Sequence, residues 1–478
     1  MKNKDIYIFS FIILLGAILR IQYLDFPCIG YHNMKENEYL SIAEEMERTG
    51  DFLNKRVYFY NGLSENPIVK TDPQIPFFCY QILIIRKFFG GGISIIRLVN
   101  IIFSLLSIFL IYKISIYFFN DKFISLFSSL LFAILPLGVF FSRSIHPDII
   151  GLFFMLLGTL FYLKFSFSLK KINIFFASLF FIFSLLYKFN FLIGIIPCLF
   201  FLPYRYIFSS RYNIITCLFF IFLPFLFLFF YLVFFKITGG NFDFKFEPLL
   251  VFTPSYWKRY SEPIIWYLKF ENYTIVFSFL SMCGLILAIF RYKNLVDRYL
   301  IGSIISVIFY CILFSNEIYQ NPFIQMPFLI LVCISSSYFI YFVKSELERF
   351  KKENIFYIVI FVILVIAIPY IKNNLFRMYE TIFWGVDVAG SSLAEFTERD
   401  ERFFLFAHPQ ANAIARYAKR YAGWPNDLKE FKEKEEKYKI RFLCIYPFEN
   451  IEVIKRNYKD IYGYLENNYF VKEIGLFD

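Results

Sequence analysis

The sequence has 478 residues, of which 58% are hydrophobic and 70 are phenylalanine. Soluble domains contain roughly 45–50% apolar residues, so this composition excludes an ordinary water-soluble globular protein. The formal net charge is +11, and the basic residues that produce it lie in short connections between apolar runs. Such a distribution is typical of membrane topology rather than of a nucleic-acid-binding surface, and we expect no nucleic-acid partner.

Apolar runs long enough to form membrane spans occupy most of residues 1–371. A helix needs about 20 residues to cross ~30 Å of hydrocarbon. Runs of this kind begin near Ile6, Ile93, Phe123, Ile149, Ile172, Phe191, Tyr212, Tyr273, Tyr299, Pro322 and Ile355. The sequence therefore predicts a mostly α protein in which residues 1–371 form a polytopic membrane helical bundle of about eleven spans.

The order of the basic loops predicts the orientation of this bundle. Lysine and arginine occupy every second connection if residues 74–89 do not cross the membrane. That segment is short for a crossing and contains Arg86 and Lys87, so we expect a helix at the membrane interface there. The positive-inside rule then predicts a multi-pass plasma-membrane protein with a cytoplasmic N-terminus, whose loop 25–92 and turn 142–148 face outside.

Residues 372–478 differ from the bundle in composition. They contain equal numbers of basic and acidic residues and only short apolar runs. Alternating strand-like and helix-like segments predict a small C-terminal α/β domain, which the topology places outside the cell. The domain contains no catalytic triad and no phosphate-binding loop, so we expect it to pack as a lid or to handle an acceptor.

The first outer loop contains acidic residues on a segment with helical periodicity. In "GYHNMKENEYLSIAEEMERTGDF" apolar residues recur at helical spacing, which predicts a helix on the membrane surface. Glu36 follows Asn33 at the spacing of a capping box, and Glu38 lies just beyond it. Glu36 is therefore either a cap or a functional carboxylate, and Glu38 is either part of a solvated face or a carboxylate held at the bilayer edge.

The order of several motifs resembles that of the C-type membrane glycosyltransferases. Arg20 ends the first span, and the motifs "HNMKENEYLSIAEEMERTGDF", "TDPQIPFFCYQI", "ISIIRLVN" and "FSRSIHPDIIGLFFMLLGTLFY" follow. Within these glycosyltransferases it resembles relatives of the protein mannosyltransferases and the lipid A aminoarabinose transferase (glycosyltransferase family 39), over about residues 8–345. The resemblance implies transfer of a sugar from a polyprenyl-phosphate donor to an acceptor hydroxyl on the outer face, with inversion at the anomeric carbon.

This chemistry needs one general base and cations for the phosphate, because a phosphate leaving group is already a weak base. In the family the base is an acid of the first loop, and two registers of the motif place it at Glu38 or at Glu36. His32 and Lys35 belong to the same motif. The resemblance therefore implies that these side chains form part of the site.

The turn "SRSIHPD" is the most specific part of the resemblance. It implies that Asp148 is a second acid of the site, with Arg143 and His146 beside it. Pro147 suits the first turn of a helix, where an acid also stabilises the helix N-terminus. A helix cap is therefore the alternative interpretation of Asp148.

The candidate phosphate-binding cations are Lys188, in "LYKFNF", and Arg97. The family carries a lysine in the segment of Lys188, but a lysine flanked by aromatic residues also extends towards lipid headgroups without any role in a site. In "SNEIYQNPFIQMPFL" the resemblance implies that Tyr319 lines the donor site.

No metal site is predicted, because His32, His146 and His408 lack the spacing of metal ligands. A divalent cation stays open as a cofactor, since Glu36, Glu38 and Asp148 are carboxylates that the fold can bring together. The expected partners are a polyprenyl-phosphate-linked sugar, membrane lipid, and an acceptor that is a glycan, a lipid or a protein.

Two other functional classes are open. A lipid-linked glycan flippase or transporter would need polar residues paired at the membrane midplane, yet the middle spans are nearly all apolar. A polysaccharide polymerase or ligase would share an outer catalytic loop but place it late in the chain.

Overall fold

The computed structural model of the chain describes residues 3–240, 252–447 and 449–471. Most of these residues are helical. The helices that precede the C-terminal domain are α1 (Asn3–Ile21), α2 (Asn33–Thr49), α3 (Phe77–Phe89), α4 (Ile93–Phe119), α5 (Lys122–Ile134), α6 (Pro136–Arg143), α7 (Asp148–Ser168), α8 (Lys171–Tyr187), α9 (Ile195–Leu199), α10 (Tyr204–Ile207), α11 (Arg211–Ile237), α12 (Pro254–Trp266), α13 (Thr274–Arg291), α14 (Leu295–Leu313), α15 (Ser315–Gln320), α16 (Leu329–Arg349) and α17 (Glu353–Glu380). Two 3₁₀ segments, Phe189–Gly194 and Pro322–Phe328, lead into α9 and α16.

Seven helical units of the described residues are long and apolar enough to cross a membrane: α4, α7, α11, α13, α14, Pro322–Arg349 and α17. Helices α5 and α6 form an eighth if they count as one span with a 53° bend. The other predicted spans correspond to α1, which carries charges near both ends, to α8, and to the short segment Phe189–Leu199. The multi-pass helical fold is confirmed, whereas the number of eleven spans is not.

The bend between α5 and α6 is stabilised by Arg20 of α1. Pro136 has no N–H group, so the carbonyl of Phe132 lacks its usual helical partner. The buried guanidinium of Arg20 donates to the carbonyls of Phe132 at 3.2 Å and Ala133 at 2.8 Å, and to Ser104 Oγ at 2.9 Å. Unpaired carbonyls are costly inside a membrane protein, and the hydrogen bonds from Arg20 offset that cost at the break between α5 and α6.

Two glycines allow α7 to pack closely against α8 and the 3₁₀ segment that follows it. A Cβ atom at Gly151 would lie 2.6 Å from the ring of Phe191, and one at Gly158 would lie 2.8 Å from the ring of Phe181. Small residues commonly permit such close packing in membrane bundles. As a result, the last turn of α8 lies beside the first turn of α7.

Helices α2 and α3 occupy the loop between α1 and α4. The helix predicted for this loop is present as α2, although most of its residues are buried in the protein, and Gly50 caps its C-terminus with a φ of 70° that a residue without a side chain adopts readily. With 13 residues, α3 is too short to cross the membrane, and it packs against α2. The helix expected over residues 74–89 therefore exists, but begins at Phe77.

The C-terminal domain contains a three-stranded parallel sheet in the order β2-β1-β3, formed by β1 (Phe403–Phe406), β2 (Ala422–Gly423) and β3 (Leu443–Ile445). Its helices are α18 (Val386–Phe396), α19 (Ala411–Ala418), α20 (Leu428–Tyr438), α21 (Asn450–Asn457) and α22 (Lys459–Asn468). Since α17 continues to Glu380, the boundary expected at residue 372 falls within a helix. The sequence also predicts a strand over residues 469–476, most of which lie outside the described residues.

Candidate functional site

A cavity of about 870 Å³ lies between α2, the loop before α3, the end of α8, and helices α11 and α14. Its polar end is lined by Lys35, Glu38, Lys55, Asp72, Lys188 and Glu317. Its apolar part is lined by residues that include Ile193, Phe225, Leu228, Leu232, Phe309 and Leu313. A cavity of this kind suits a molecule with a charged head and a long apolar tail.

Helix α2 contributes Lys35 and Glu38 to the polar end. The Lys35 ammonium donates to Glu38 Oε2 at 2.8 Å, one turn further along the helix. Burial lowers the pKa of Lys35, but the charge and hydrogen bond of Glu38 outweigh this effect and leave the pKa above its usual range. Lys35 therefore stays protonated and faces the cavity together with a carboxylate.

Lys188 follows α8 and pairs with Asp148 in the first turn of α7. Its ammonium lies 3.0 Å from each oxygen of the Asp148 carboxylate, which is fully buried. The Nδ1 atom of His146 contacts the same carboxylate. Lys188 lines the cavity, and Asp148 lies behind it and fixes its position.

The structure adds a third pair, Lys55 and Asp72, that the sequence did not predict. The Lys55 ammonium donates to Asp72 Oδ2 at 2.8 Å, to the Asp72 carbonyl at 2.5 Å and to the Gln74 carbonyl at 2.9 Å. The segment "TDPQ" carries a turn signal, but nothing in the sequence indicates that Lys55, 17 residues earlier, lies against it. Glu317 of α15 also lines the cavity and was not predicted as a site residue.

Glu36 and Arg97 pair with each other rather than lining the cavity. Arg97 Nη2 lies 3.3 Å from Glu36 Oε1, which also accepts the backbone N–H of Ile145 at 2.8 Å. Arg97 Nη1 donates to the Phe26 carbonyl at 2.5 Å. The capping box with Asn33 is not formed, since α2 has no side-chain cap. These contacts join α2 to α4 and to the turn before α7.

Arg143 and His32 contact the surroundings of the site rather than the cavity itself. Arg143 donates to the Tyr23 carbonyl at 2.9 Å and lies 4.7 Å from the ring centroid of Tyr379. His32 packs against the ring of Phe323, and loss of hydration lowers its pKa to about 3, so the imidazole is neutral near pH 7. The side chain of Tyr319 lies outside the described residues.

The three carboxylates that could bind a divalent metal ion each pair with a different basic side chain. Glu38 pairs with Lys35, Asp148 with Lys188, and Glu36 with Arg97. Among the residues that the structure describes, no three His, Cys, Asp or Glu side chains are grouped so that they could hold a metal ion. The divalent cation therefore stays an open alternative.

Comparison with known proteins gives one match to a family and several to solved structures. Residues 71–235, less than half of the chain, match the family described as dolichyl-phosphate-mannose-protein mannosyltransferase. No curated protein sequence matches the chain significantly.

The apo oligosaccharyltransferase of Archaeoglobus fulgidus superposes with a TM-score of 0.58 at 12% identity, covering 93% of this chain and 69% of that one. The same organism's AglB, in complex with an inhibitory peptide and a dolichol-phosphate, gives 0.57 at 13% identity, covering 92% and 69%. ArnT from Cupriavidus metallidurans bound to undecaprenyl phosphate gives 0.56 at 14% identity, covering 100% and 97%.

These likenesses establish the fold. The chain is a multi-pass membrane protein with the fold of the C-type membrane glycosyltransferases. The resemblance inferred from its sequence motifs is confirmed at this level. The chain is similar to ArnT from Cupriavidus metallidurans over nearly the full length of both chains.

Proposed function

We propose that the protein transfers a sugar from a polyprenyl-phosphate donor to an acceptor hydroxyl at the outer membrane face, with inversion at the anomeric carbon. The observation that carries this proposal is the amphiphilic cavity, whose charged end continues into an apolar groove along α11 and α14. A polyprenyl phosphate has the same division into an anionic head and an apolar chain. The undecaprenyl phosphate of the ArnT structure and the dolichol-phosphate of the AglB structure support this ligand class.

Counting ammonium protons indicates which lysines bind the donor phosphate. Each lysine ammonium has three donors. Lys188 directs two of them to Asp148, and Lys35 directs one to Glu38, so both retain donors that face the cavity. Lys55 uses all three within its own loop. We therefore assign the phosphate to Lys35 and Lys188, whose charges stabilise the negative charge that develops on the leaving group.

Glu38 is the proposed general base. One of its oxygens accepts from Lys35, and the other is available to an acceptor hydroxyl entering the cavity. Glu38 removes the hydroxyl proton as the acceptor oxygen bonds to the anomeric carbon. The bond between that carbon and the phosphate oxygen breaks at the same time, and the electron pair leaves with the phosphate. A single displacement of this kind inverts the anomeric configuration. Glu36 is less suited because Arg97 and the Ile145 amide occupy its carboxylate.

The orientation of the chain belongs to the same proposal. With a cytoplasmic N-terminus in the plasma membrane, loop 25–92 and the C-terminal domain lie outside the cell. The bundle and the α/β domain are then two functional units joined by α17, and the acceptor is a glycan, lipid or protein on the outer face. The basic loops support this arrangement through the positive-inside rule.

The proposal is tested with the purified full chain in lipid nanodiscs and a panel of radiolabelled polyprenyl-phosphate sugars. We expect label to move from one of these donors to an acceptor glycan, lipid or peptide, and the product to have the inverted anomeric configuration. Movement of an intact lipid-linked glycan between leaflets without any change of covalent bonds would support a flippase instead.

A further inference from the structure

The loop from Thr71 to Pro76 is held rigidly at the polar end of the cavity. The Lys55 side chain, only 5% exposed, donates to two backbone carbonyls and one carboxylate oxygen of this loop. On the other side, Gln74 Nε2 donates to the carbonyl of Tyr187 at 3.0 Å. Tyr187 immediately precedes Lys188, so the loop has a fixed position next to the proposed phosphate site.

The carboxylate of Asp72 is the group that this loop presents to the cavity. Its side chain is 44% exposed, whereas that of its partner Lys55 is enclosed. Oδ1 accepts the backbone N–H of Gln74 at 2.9 Å, and Oδ2 accepts from Lys55. A carboxylate oxygen has two lone pairs, so each oxygen can accept a further hydrogen bond from a molecule in the cavity.

The charges around Asp72 limit the kind of group that it can bind. The surrounding protein reduces the hydration of the Asp72 carboxylate, which raises its pKa, but the charge and hydrogen bond of Lys55 outweigh this effect and hold the pKa below its usual value. The carboxylate therefore stays ionised, repels a phosphate and is a weak proton acceptor. The adjacent Lys55 ammonium disfavours a cationic ligand. A neutral hydroxyl group can donate a hydrogen bond to the Asp72 carboxylate. Because it carries no charge, the Lys55 ammonium does not repel it.

We propose that Asp72 is a sugar-binding residue that accepts hydrogen bonds from hydroxyl groups of the donor sugar. This inference rests on the proposed function, since it assigns the sugar of the polyprenyl-phosphate donor to the wall of the cavity between α2 and the loop from Thr71 to Pro76. Glu38 and Asp72 then divide two tasks: Glu38 removes a proton from the acceptor, and Asp72 holds the sugar.

The experiment compares two probes, a bare polyprenyl phosphate and a set of polyprenyl-phosphate hexoses, by equilibrium binding to the full chain in nanodiscs. We expect Asp72→Ala to weaken binding of the preferred hexose lipid by about 10-fold or more, the worth of hydrogen bonds to a charged group. Binding of the bare phosphate should not weaken, because the variant removes a carboxylate that repels it. Asp72→Asn, which keeps the shape and one acceptor oxygen, should show a smaller loss in the same direction. Glu65→Gln, an exposed acid of the same outer loop that pairs with Lys437, is the matched control.

Equal losses for the two probes, or no loss for either in a folded variant, would overturn the assignment of Asp72. A wild-type protein that binds the bare phosphate as tightly as every hexose lipid would overturn it as well. Failure of the wild type to bind any polyprenyl phosphate would instead contradict the proposed function itself. If Asp72→Ala does not fold, the ratio of the two affinities in Asp72→Asn decides the question.

Discussion

Glu38 and Glu36 lie two residues apart on α2 and therefore point to nearly opposite sides of the helix. Glu38 faces the cavity with Lys35, whereas Glu36 is bound to Arg97 and to the backbone of the turn before α7. The sequence motif leaves the choice between them open, because both registers of the family pattern fit. The distinction comes from contacts with residues more than 60 positions away.

We expect Glu38→Gln to reduce the transfer rate by about 10²–10⁴, the usual contribution of a general base, with little change in melting temperature. Glu36→Gln should instead lower the stability by about 3–5 kcal/mol, because it leaves the buried Arg97 without its charged partner. Initial rates and thermal melts of both purified variants separate these effects. A Glu36→Gln protein that melts normally and has no activity, beside an active Glu38→Gln protein, would assign the base to Glu36.

Lys188 and Asp148 form a buried pair, so removing one partner tests folding as well as function. We expect Lys188→Met alone to destabilise the protein, since it leaves a buried carboxylate unpaired. The double variant Lys188→Met with Asp148→Asn removes both charges and should melt much closer to wild type. It should nevertheless bind polyprenyl phosphate at least about 10-fold more weakly, because a charged phosphate contact is lost. Unchanged lipid affinity in the folded double variant would show that Lys188 does not contact the phosphate.

At the scale of elements, the C-terminal domain contacts α2 through several polar side chains. Arg416 of α19 lies 2.9 Å from Glu44 Oε1 and donates to Asn37 Oδ1 at 3.1 Å. Asn33 donates to Gln410 at 2.7 Å, next to α19. These contacts occupy the side of α2 that does not face the cavity. The C-terminal domain therefore fixes the rotation of the helix that carries the proposed base.

Arg416→Met should lower kcat by about 10-fold or more, because small misplacements of a catalytic group have large effects on rate. Arg416→Lys should restore part of the loss, since it keeps the charge opposite Glu44. Arg441→Met is the matched control, because the exposed Arg441 pairs with Glu401 of the same domain. Steady-state kinetics at saturating donor measure the effect, and an unchanged kcat in Arg416→Met would contradict a positioning role for the domain.

Periodicity and composition predicted the local elements better than the contacts between them. The helical pattern of residues 33–49 and the apolar runs of α4, α7 and α11 depend on neighbours in sequence, so they are visible without a structure. The β2 strand was not predicted because its two residues are defined only by pairing with β1. The pair of Lys188 and Asp148 and that of Lys55 and Asp72 depend on close helix packing and on a folded loop, which a single sequence does not encode as a local pattern.

At the scale of the whole molecule, the number of eleven spans is not confirmed, because several of the apolar runs form short or broken helices in the described part of the chain. The segment Phe189–Leu199 begins as a 3₁₀ helix and is short, and α5 ends at Ile134, two residues before Pro136. A reporter fused after Asp478 should be active outside the cell if the chain crosses the membrane an odd number of times from a cytoplasmic N-terminus. Activity of that fusion in the cytoplasm would contradict the proposed orientation, because it would place the C-terminal domain and the polar end of the cavity on the cytoplasmic side.

The most direct test of the central claim is a cryo-electron microscopy structure of the full chain in nanodiscs with a polyprenyl phosphate. We predict density for the phosphate between the Lys35 and Lys188 ammonium groups, with the apolar chain running along the groove between α11 and α14. The Glu38 carboxylate should face the position of the anomeric carbon. Lipid density at another surface of the bundle, with the cavity filled only by water, would contradict the assignment of this cavity as the donor site.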